Sequence, residues 1–318
     1  MTDLPTLDDI RAAAARIAPH AHRTPVLRSS AIDAMMGMRL FFKCENFQKV
    51  GAFKFRGACN TVMGLSDDEA RAGVATHSSG NHAQALALAA RMRGIPAHVV
   101  MPENSPRIKQ AAVRDYGAEI ISCKPTQAAR ESTLTEVVAR TGATFVHPYN
   151  DLRVITGQAT CAMELLEDVT DLDAVLAPVG GGGLMSGTAL AVHYLAPHVR
   201  AIGAEPAGAD DAHRSLQAGR ILPSEDPRTV ADGLRTSLGS HTFRILSTYL
   251  ERIALTREES IIRAMRLVWE RMKIIIEPSC AVPLSTLMDN DLGLSGKRVG
   301  IILTGGNVDL DRLPWQLS

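Results

Sequence analysis

The chain carries the stretch Gly51-Ala52-Phe53-Lys54-Phe55-Arg56-Gly57-Ala58, which places one lysine between two aromatic residues with a glycine on either side. On an extended backbone, side chains two residues apart lie on the same face, so both rings would project opposite to the lysine. We therefore predict that the amine of Lys54 points away from Phe53 and Phe55 and into a cavity. The alternative is an ordinary solvated lysine, which is the commoner case.

Three further motifs contain glycine and lie far from Lys54 along the chain: Ser78-Ser79-Gly80-Asn81-His82, Gly180-Gly181-Gly182-Gly183 and Thr304-Gly305-Gly306-Asn307. The four-glycine run follows a predicted strand (174–177) and precedes a predicted helix that starts near Leu184. Backbone amides and a helix dipole at such a place can hold a phosphate. The alternative is a flexible turn.

Two other phosphate-binding motifs do not fit the glycine run. The dinucleotide spacing G-x-G-x-x-G would need a glycine at Met185, and a P-loop would need a lysine at Thr188. A loop that offers amides but no lysine suits a phosphate monoester whose other end is tethered covalently.

Composition excludes several classes of function. The chain has 318 residues, 46% hydrophobic and 21% charged, which is ordinary for a globular protein of one large or two modest domains. Formal net charge is zero, so nothing favours nucleic acid or an anionic membrane as a partner. The five cysteines are scattered without a C-x-x-C pair, and the first ten residues resemble no signal peptide. We expect a cytoplasmic protein with reduced thiols.

Hydrophobic periodicity predicts an α/β fold. Between residues 73 and 146 short apolar strands alternate with helices, which is typical of a parallel sheet with crossover helices. We predict a small domain at 73–146 inserted into a large domain formed by 1–72 and 147–318. Helix starts are predicted from four local signals: Thr6 with Asp9, Ser66 with Glu69, Ser105-Pro106, and Thr256 with Glu259.

In this order the four motifs resemble the fold-type II pyridoxal-phosphate (PLP) enzymes, over about residues 24–315. The likeness is greatest to the branch that contains serine racemases, threonine dehydratases and 3-hydroxyaspartate dehydratases. It implies a tryptophan synthase β-like architecture of two open parallel-sheet α/β domains, with PLP in the cleft between them, and a homodimer. The C-terminal run 305–315 and the run 147–151 are most similar to bacterial 3-hydroxyaspartate dehydratases.

The resemblance implies roles for the cofactor-binding residues. Lys54 would form the Schiff base with PLP and, once displaced by the substrate amine, remove the α-proton as a neutral base. Asn81 would bind the ring hydroxyl, Phe53 would pack beside the ring, and Thr304 would face the pyridine nitrogen. A hydroxyl there need not keep that nitrogen protonated, which suits elimination better than transamination. The phosphate would lie on Gly180, Gly181, Gly182, Gly183 and Leu184.

The substrate carboxylate would bind the loop of Ser78, Ser79, Gly80, Asn81 and His82, where the first amides of a helix are free. In the serine racemase branch the residue matching Ser79 is a second acid/base on the opposite face of the cofactor, so racemisation stays open. A simple helix cap is the other interpretation of Ser79.

Specificity and metal binding are implied by the same branch. Arg130 matches an arginine that can meet a second substrate carboxylate, and the alternative is a solvated arginine on the helix of residues 126–140. His147 and Asn150 are predicted to line the same cleft. The divalent-cation site would consist of Glu205, the carbonyl of Ala209, and Asp211, holding Mg²⁺, Ca²⁺ or Mn²⁺. A polar loop with solvated acids is the alternative.

We therefore predict a PLP-dependent carbon–oxygen lyase that dehydrates 3-hydroxyaspartate to oxaloacetate and ammonia. A serine racemase or serine/threonine dehydratase is the first alternative, and a non-catalytic small-molecule or nucleotide binder is an alternative of another class. ATP is a further predicted effector, because the chain contains residues that match the ATP site of serine racemases. Val50 departs from this match, since that site has a threonine there. The matching residues are Ser29, Ser30, Lys49, Gln84, Tyr116, Lys273 and Asn307.

Overall fold

Strands alternate with helices along most of the chain in the computed structural model, which describes residues 4–105 and 107–316. In these ranges the strands are β1 (Val26–Leu27), β2 (Arg39–Cys44), β3 (Val74–His77), β4 (Ala97–Pro102), β5 (Glu119–Cys123), β6 (Thr144–Phe145), β7 (Ala174–Pro178), β8 (Arg200–Pro206), β9 (Arg252–Thr256) and β10 (Arg298–Leu303). The α-helices are α1 (Leu7–Ile17), α2 (Ser30–Met36), α3 (Lys54–Met63), α4 (Asp67–Ala72), α5 (Asn81–Arg93), α6 (Arg107–Asp115), α7 (Gln127–Thr141), α8 (Leu152–Asp168), α9 (Gly183–Leu195), α10 (Asp211–Ala218), α11 (Ser240–Tyr249), α12 (Glu258–Met272) and α13 (Pro278–Asp289).

The larger sheet has six strands in the order β1-β2-β10-β7-β8-β9, parallel except where β1 pairs with β2. Its inner strands are apolar on both faces, as expected of a sheet that helices cover on both sides. Successive residues of β7 illustrate this, because Val175 packs with α8 and α9 while Leu176 packs with α12 and α13.

The smaller sheet has four parallel strands in the order β5-β4-β3-β6, all from the segment between residues 74 and 145. Helix α5 buries its alanine-rich face on one side of this sheet together with Val74 and Val99. Helix α7 covers the other side, where Leu134 and Val137 pack against Ala75 and Val100. The prediction of an α/β fold with parallel sheets is confirmed. Among the described residues, no helix is both long enough and apolar enough to span a bilayer.

The predicted helix starts have different outcomes. Thr6 with Asp9 and Ser66 with Glu69 form the reciprocal hydrogen bonds of a capping box, as predicted. The box at Thr256 is wrong, because Thr256 ends β9 and its hydroxyl donates to Asp289 Oδ2 at 2.8 Å, while α12 begins at Glu258. The predicted start at Ser105-Pro106 falls partly on Pro106, which lies outside the described residues.

The expected extended backbone at Lys54 is also wrong. Phe53 has φ −52° and ψ −24°, and Lys54 is the first residue of α3. The extended segment ends one residue earlier, at Ala52, which pairs with Gly305. The Phe53 amide donates to the Thr304 carbonyl at 2.9 Å, so the residue directly after β10, an inner strand of the larger sheet, fixes where the helix begins.

Candidate active site

A cavity of about 300 Å³ lies where strands of both sheets end. Residues next to the carboxyl ends of β3, β7 and β10 line it, which is the usual place for a ligand in open parallel sheets. Its walls contain residues from all four sequence motifs: Phe53, Lys54, His77, Ser78, Ser79, Gly80, Asn81, His82, Gln127, Arg130, Pro148, Tyr149, Pro178, Gly180, Gly181, Gly182, Gly183, Leu184, Asp232, Gly233, Leu234, Thr236, Glu277, Ser279, Thr304 and Asn307.

Lys54 presents its amine to this cavity. Nζ donates to the Pro148 carbonyl at 2.8 Å and lies 5.1 Å from the centre of the Phe53 ring, so the predicted separation of the amine from that ring is wrong. Burial lowers the pKa of Lys54 to about 8, and the negative charge of Glu277 partly opposes that effect. A large fraction of this amine is therefore neutral near pH 8, as a nucleophile or base requires.

The glycine loop has the shape of a phosphate cradle. Gly182 caps α9 with a left-handed φ of +85°, which favours glycine. A Cβ on Gly181 would lie 2.4 Å from carbons of the Tyr149 ring, so the ring packs directly on the loop backbone only because this residue is glycine. The first amides of α9 have no partner within the helix, so the loop fits the phosphate of PLP while Lys54 shares its cavity.

The loop of residues 78–82 leads into α5. Gly80 occupies the cap position of α5 without a side-chain cap bond, and the Ser78 hydroxyl instead accepts from the Gly80 amide at 3.3 Å. Ser79 lines the cavity and does not cap the helix. The helix-cap interpretation of Ser79 is therefore wrong.

His82 is buried below the same loop. Its Nε2 donates to the Val146 carbonyl at 3.2 Å, and its Nδ1 has no hydrogen-bond partner among the described residues. Burial lowers the pKa of His82 to about 3, so the imidazole is neutral.

Asn81 belongs to a short hydrogen-bonded chain that the sequence motifs did not reveal. Its Nδ2 lies 3.0 and 3.2 Å from the two carboxylate oxygens of Glu277, and its Oδ1 accepts from Asn307 Nδ2 at 2.9 Å. Thr304, the residue directly after β10, is buried and lines the same cavity. The one sequence signal for Glu277 is its place directly before Pro278, where a helix begins.

Arg130 lies in the first turn of α7 and lines the cavity. Its Nε is buried without a hydrogen-bond partner among the described residues, so the guanidinium retains capacity for an anion. His147 and Asn150, predicted beside it, are not among the cavity-lining residues. His147 Nδ1 accepts from the Tyr149 and Asn150 amides, while Asn150 Oδ1 accepts from the His241 amide at 2.8 Å.

The predicted cation site contains two buried carboxylates near the carboxyl end of β8. Glu205 accepts from the Ala212 and His213 amides, and both oxygens of Asp211 are buried without a partner among the described residues. Burial raises the pKa of Glu205 to about 9 and that of Asp211 to about 6. Ala209 is buried in the turn between them, so the set fits a hard divalent cation with water ligands. Within the described residues, no three His, Cys, Asp or Glu side chains are grouped to hold a metal.

The chain belongs to the family of pyridoxal-phosphate dependent enzymes, whose family profile matches residues 17–305. It is 53% identical over 312 residues to a β-hydroxyaspartate dehydratase of Paracoccus denitrificans (strain Pd 1222), covering 98% of this chain and 99% of that protein. It is 43% identical over 316 residues to the L-threo-3-hydroxyaspartate ammonia-lyase of Saccharomyces cerevisiae (strain ATCC 204508 / S288c), covering 99% and 97%.

The fold agrees with this family. The crystal structure of serine racemase from Dictyostelium discoideum matches with a TM-score of 0.92 at 47% identity, covering 96% of this chain and 99% of that one. The prediction of a fold-type II PLP enzyme similar to hydroxyaspartate dehydratases and serine racemases is confirmed.

Proposed function

We propose that this protein is a PLP-dependent dehydratase that eliminates water from 3-hydroxyaspartate, and that the product hydrolyses to oxaloacetate and ammonia. The names of the relatives at 53% and 43% identity support this substrate class. The structural observation that carries it is Arg130, a cation in the wall of the Lys54 cavity whose buried Nε has no partner among the described residues. A second substrate carboxylate would supply that partner.

The residues of the cavity then have defined tasks. Bound PLP supplies the electron sink for loss of the α-proton. Lys54 holds the cofactor and accepts the α-proton, for which its lowered pKa suits it. The amides at the start of α5 hold the α-carboxylate, and the amides at the start of α9 hold the phosphate. Arg130 binds the β-carboxylate through its planar guanidinium.

A serine racemase activity is the second candidate. The observation in its favour is that Ser79 lines the cavity and is not used as a helix cap. If Ser79 lies across the cofactor from Lys54, the two residues would exchange the α-proton on opposite faces. The 47% identity to the serine racemase of Dictyostelium discoideum supports racemisation as the second candidate activity.

Further features of the protein are proposed from the same branch. The cation at Glu205, Ala209 and Asp211 is Mg²⁺, Ca²⁺ or Mn²⁺, and the two buried carboxylates support it. We also propose the division into a domain of residues 73–146 and a domain of residues 1–72 and 147–318, which agrees with the two sheets. A homodimer and regulation by ATP rest on the resemblance alone.

Product identity tests the function. The purified protein is incubated with each stereoisomer of 3-hydroxyaspartate, with L-serine, D-serine and L-threonine, each with and without Mg²⁺. Oxaloacetate formed much faster than pyruvate or 2-oxobutyrate is the expected result. If pyruvate or the opposite serine enantiomer is the main product, the protein is instead a serine dehydratase or a serine racemase.

A further inference from the structure

Glu277 is the acidic side chain in the cavity wall that directly contacts a proposed cofactor ligand. It stands at the cap position of α13, but its carboxylate makes no cap bond to that helix. Its backbone amide donates to the Gly305 carbonyl at 3.0 Å, and a Cβ on Gly305 would lie 2.8 Å from Oε1. The carboxylate therefore lies against the loop that follows β10, and its residue is only 7% exposed.

The contact with Glu277 fixes the orientation of the Asn81 amide. A carboxylate can only accept hydrogen bonds, so the NH₂ group of Asn81 must face Glu277. The opposite end of the amide, Oδ1, accepts from Asn307, whose own Nδ2 also donates to the Val50 carbonyl at 2.7 Å. Asn81 is therefore held at both ends.

Glu277 and Lys54 line the same cavity, so the charge of the carboxylate acts on the amine. Its carboxylate favours the protonated form of the Lys54 amine, while burial of that amine favours the neutral form. Removing the charge without removing the side chain would leave burial unopposed.

We propose that Glu277 is a positioning residue of this site, which directs the Asn81 amide toward the ring hydroxyl of PLP and places a negative charge in the cavity that Lys54 lines. The inference rests on the proposed roles of Lys54 and Asn81. It does not depend on which hydroxy amino acid is the substrate.

The test uses the full chain and no substrate, so a wrong substrate assignment cannot affect it. Labelling of the Lys54 amine is followed by peptide mass spectrometry from pH 6 to 11 before PLP is added. Glu277→Gln removes the charge and should lower the pH of half-maximal labelling by about one unit. Glu277→Asp keeps the charge but shortens the reach to Asn81, so it should keep that pH and weaken PLP binding about tenfold, measured by fluorescence.

Asp289→Asn is the matched control, because Asp289 is a buried carboxylate that pairs with Arg257 away from the cavity. It should change neither measurement. The proposal is wrong if Glu277→Gln keeps the wild-type labelling profile, or if Glu277→Asp keeps the wild-type PLP affinity. If circular dichroism shows that the Glu277 variants do not fold, Asn307→Ala replaces them in the test. Asn307 is the exposed end of the hydrogen-bonded series Glu277–Asn81–Asn307, so its loss should weaken PLP binding. An unchanged PLP affinity would refute the proposal.

Discussion

Replacing Arg130 with alanine should separate the two substrate classes. The guanidinium lines the cavity, and its buried Nε has no partner among the described residues that would compete with a substrate. A hydrogen bond between charged groups contributes about 1.5–3 kcal/mol, which corresponds to a loss of about 10- to 150-fold in kcat/KM for 3-hydroxyaspartate. Serine has no second carboxylate, so its kcat/KM should change less than threefold or so.

The assay measures both substrates on the same preparations by coupled detection of oxaloacetate and pyruvate. Arg140→Ala is the matched control, because Arg140 lies on the same helix with its side chain exposed. Arg130→Lys keeps the charge but loses the planar fork, so it should recover only part of the activity. An equal loss on serine and hydroxyaspartate in Arg130→Ala would refute the assignment of Arg130 to the β-carboxylate.

Three further predictions follow from the cavity and the cation site. The folded-state pKa of Lys54 is lowered to about 8, so below that pH the buried charged amine lowers the free energy of unfolding. Before PLP is bound, Lys54→Met should therefore be more stable than the wild type at pH 7 by on the order of 2 kcal/mol in urea melts. This difference in stability should disappear between about pH 8 and 10.5. An unchanged gap would contradict the buried amine. Gly181→Ala places a methyl group against the Tyr149 ring and should weaken PLP binding about tenfold. The double variant Gly181→Ala/Tyr149→Ala removes that clash and should recover part of the affinity. Equally weak PLP binding in the single and the double variant would contradict the steric cause. The pKa values of Glu205 and Asp211 are raised in the folded protein, so without metal the free energy of unfolding should fall as the pH rises above about 4. Mg²⁺ at a hundred times its Kd should add about 2.7 kcal/mol to the free energy of unfolding measured by calorimetry. Asp211→Asn should abolish that gain.

The sequence predicts most of the cofactor site because its signals are local. A glycine run between a strand and a helix, or a Ser-Ser-Gly turn before a helix, carries its own backbone requirement. Parallel strands end at one edge of a sheet, so such loops converge once the strand order is set. Lys54, Ser79, Asn81, Gly182 and Thr304 therefore line one cavity although more than 200 residues separate some of them.

Other parts of the site depend on contacts that no local pattern records. Glu277 precedes a helix and resembles an ordinary helix-start acid until Asn81 is brought against it. Tyr149 reaches the glycine loop because Gly181 leaves room for its ring. Asp232 and Thr236 enter the wall from a long loop without periodicity. His147 is expected in the wall because it lies where the chain enters the large domain, yet it accepts hydrogen bonds from two backbone amides instead.

The position of Lys54 has a physical cause that differs from the one expected from alternation. As the first residue of α3, it sends its side chain toward the helix amino terminus and hence out of the packed helix body. The next two residues are buried on the opposite side: Phe55 lies in the core beneath α5, and Arg56 pairs with Glu45 and Glu164 at 2.7 Å. Breaking such a buried charge network costs several kcal/mol, so the first turn of α3 cannot rotate freely. The amine is aimed at the cavity because the two residues after it are fixed in the interior.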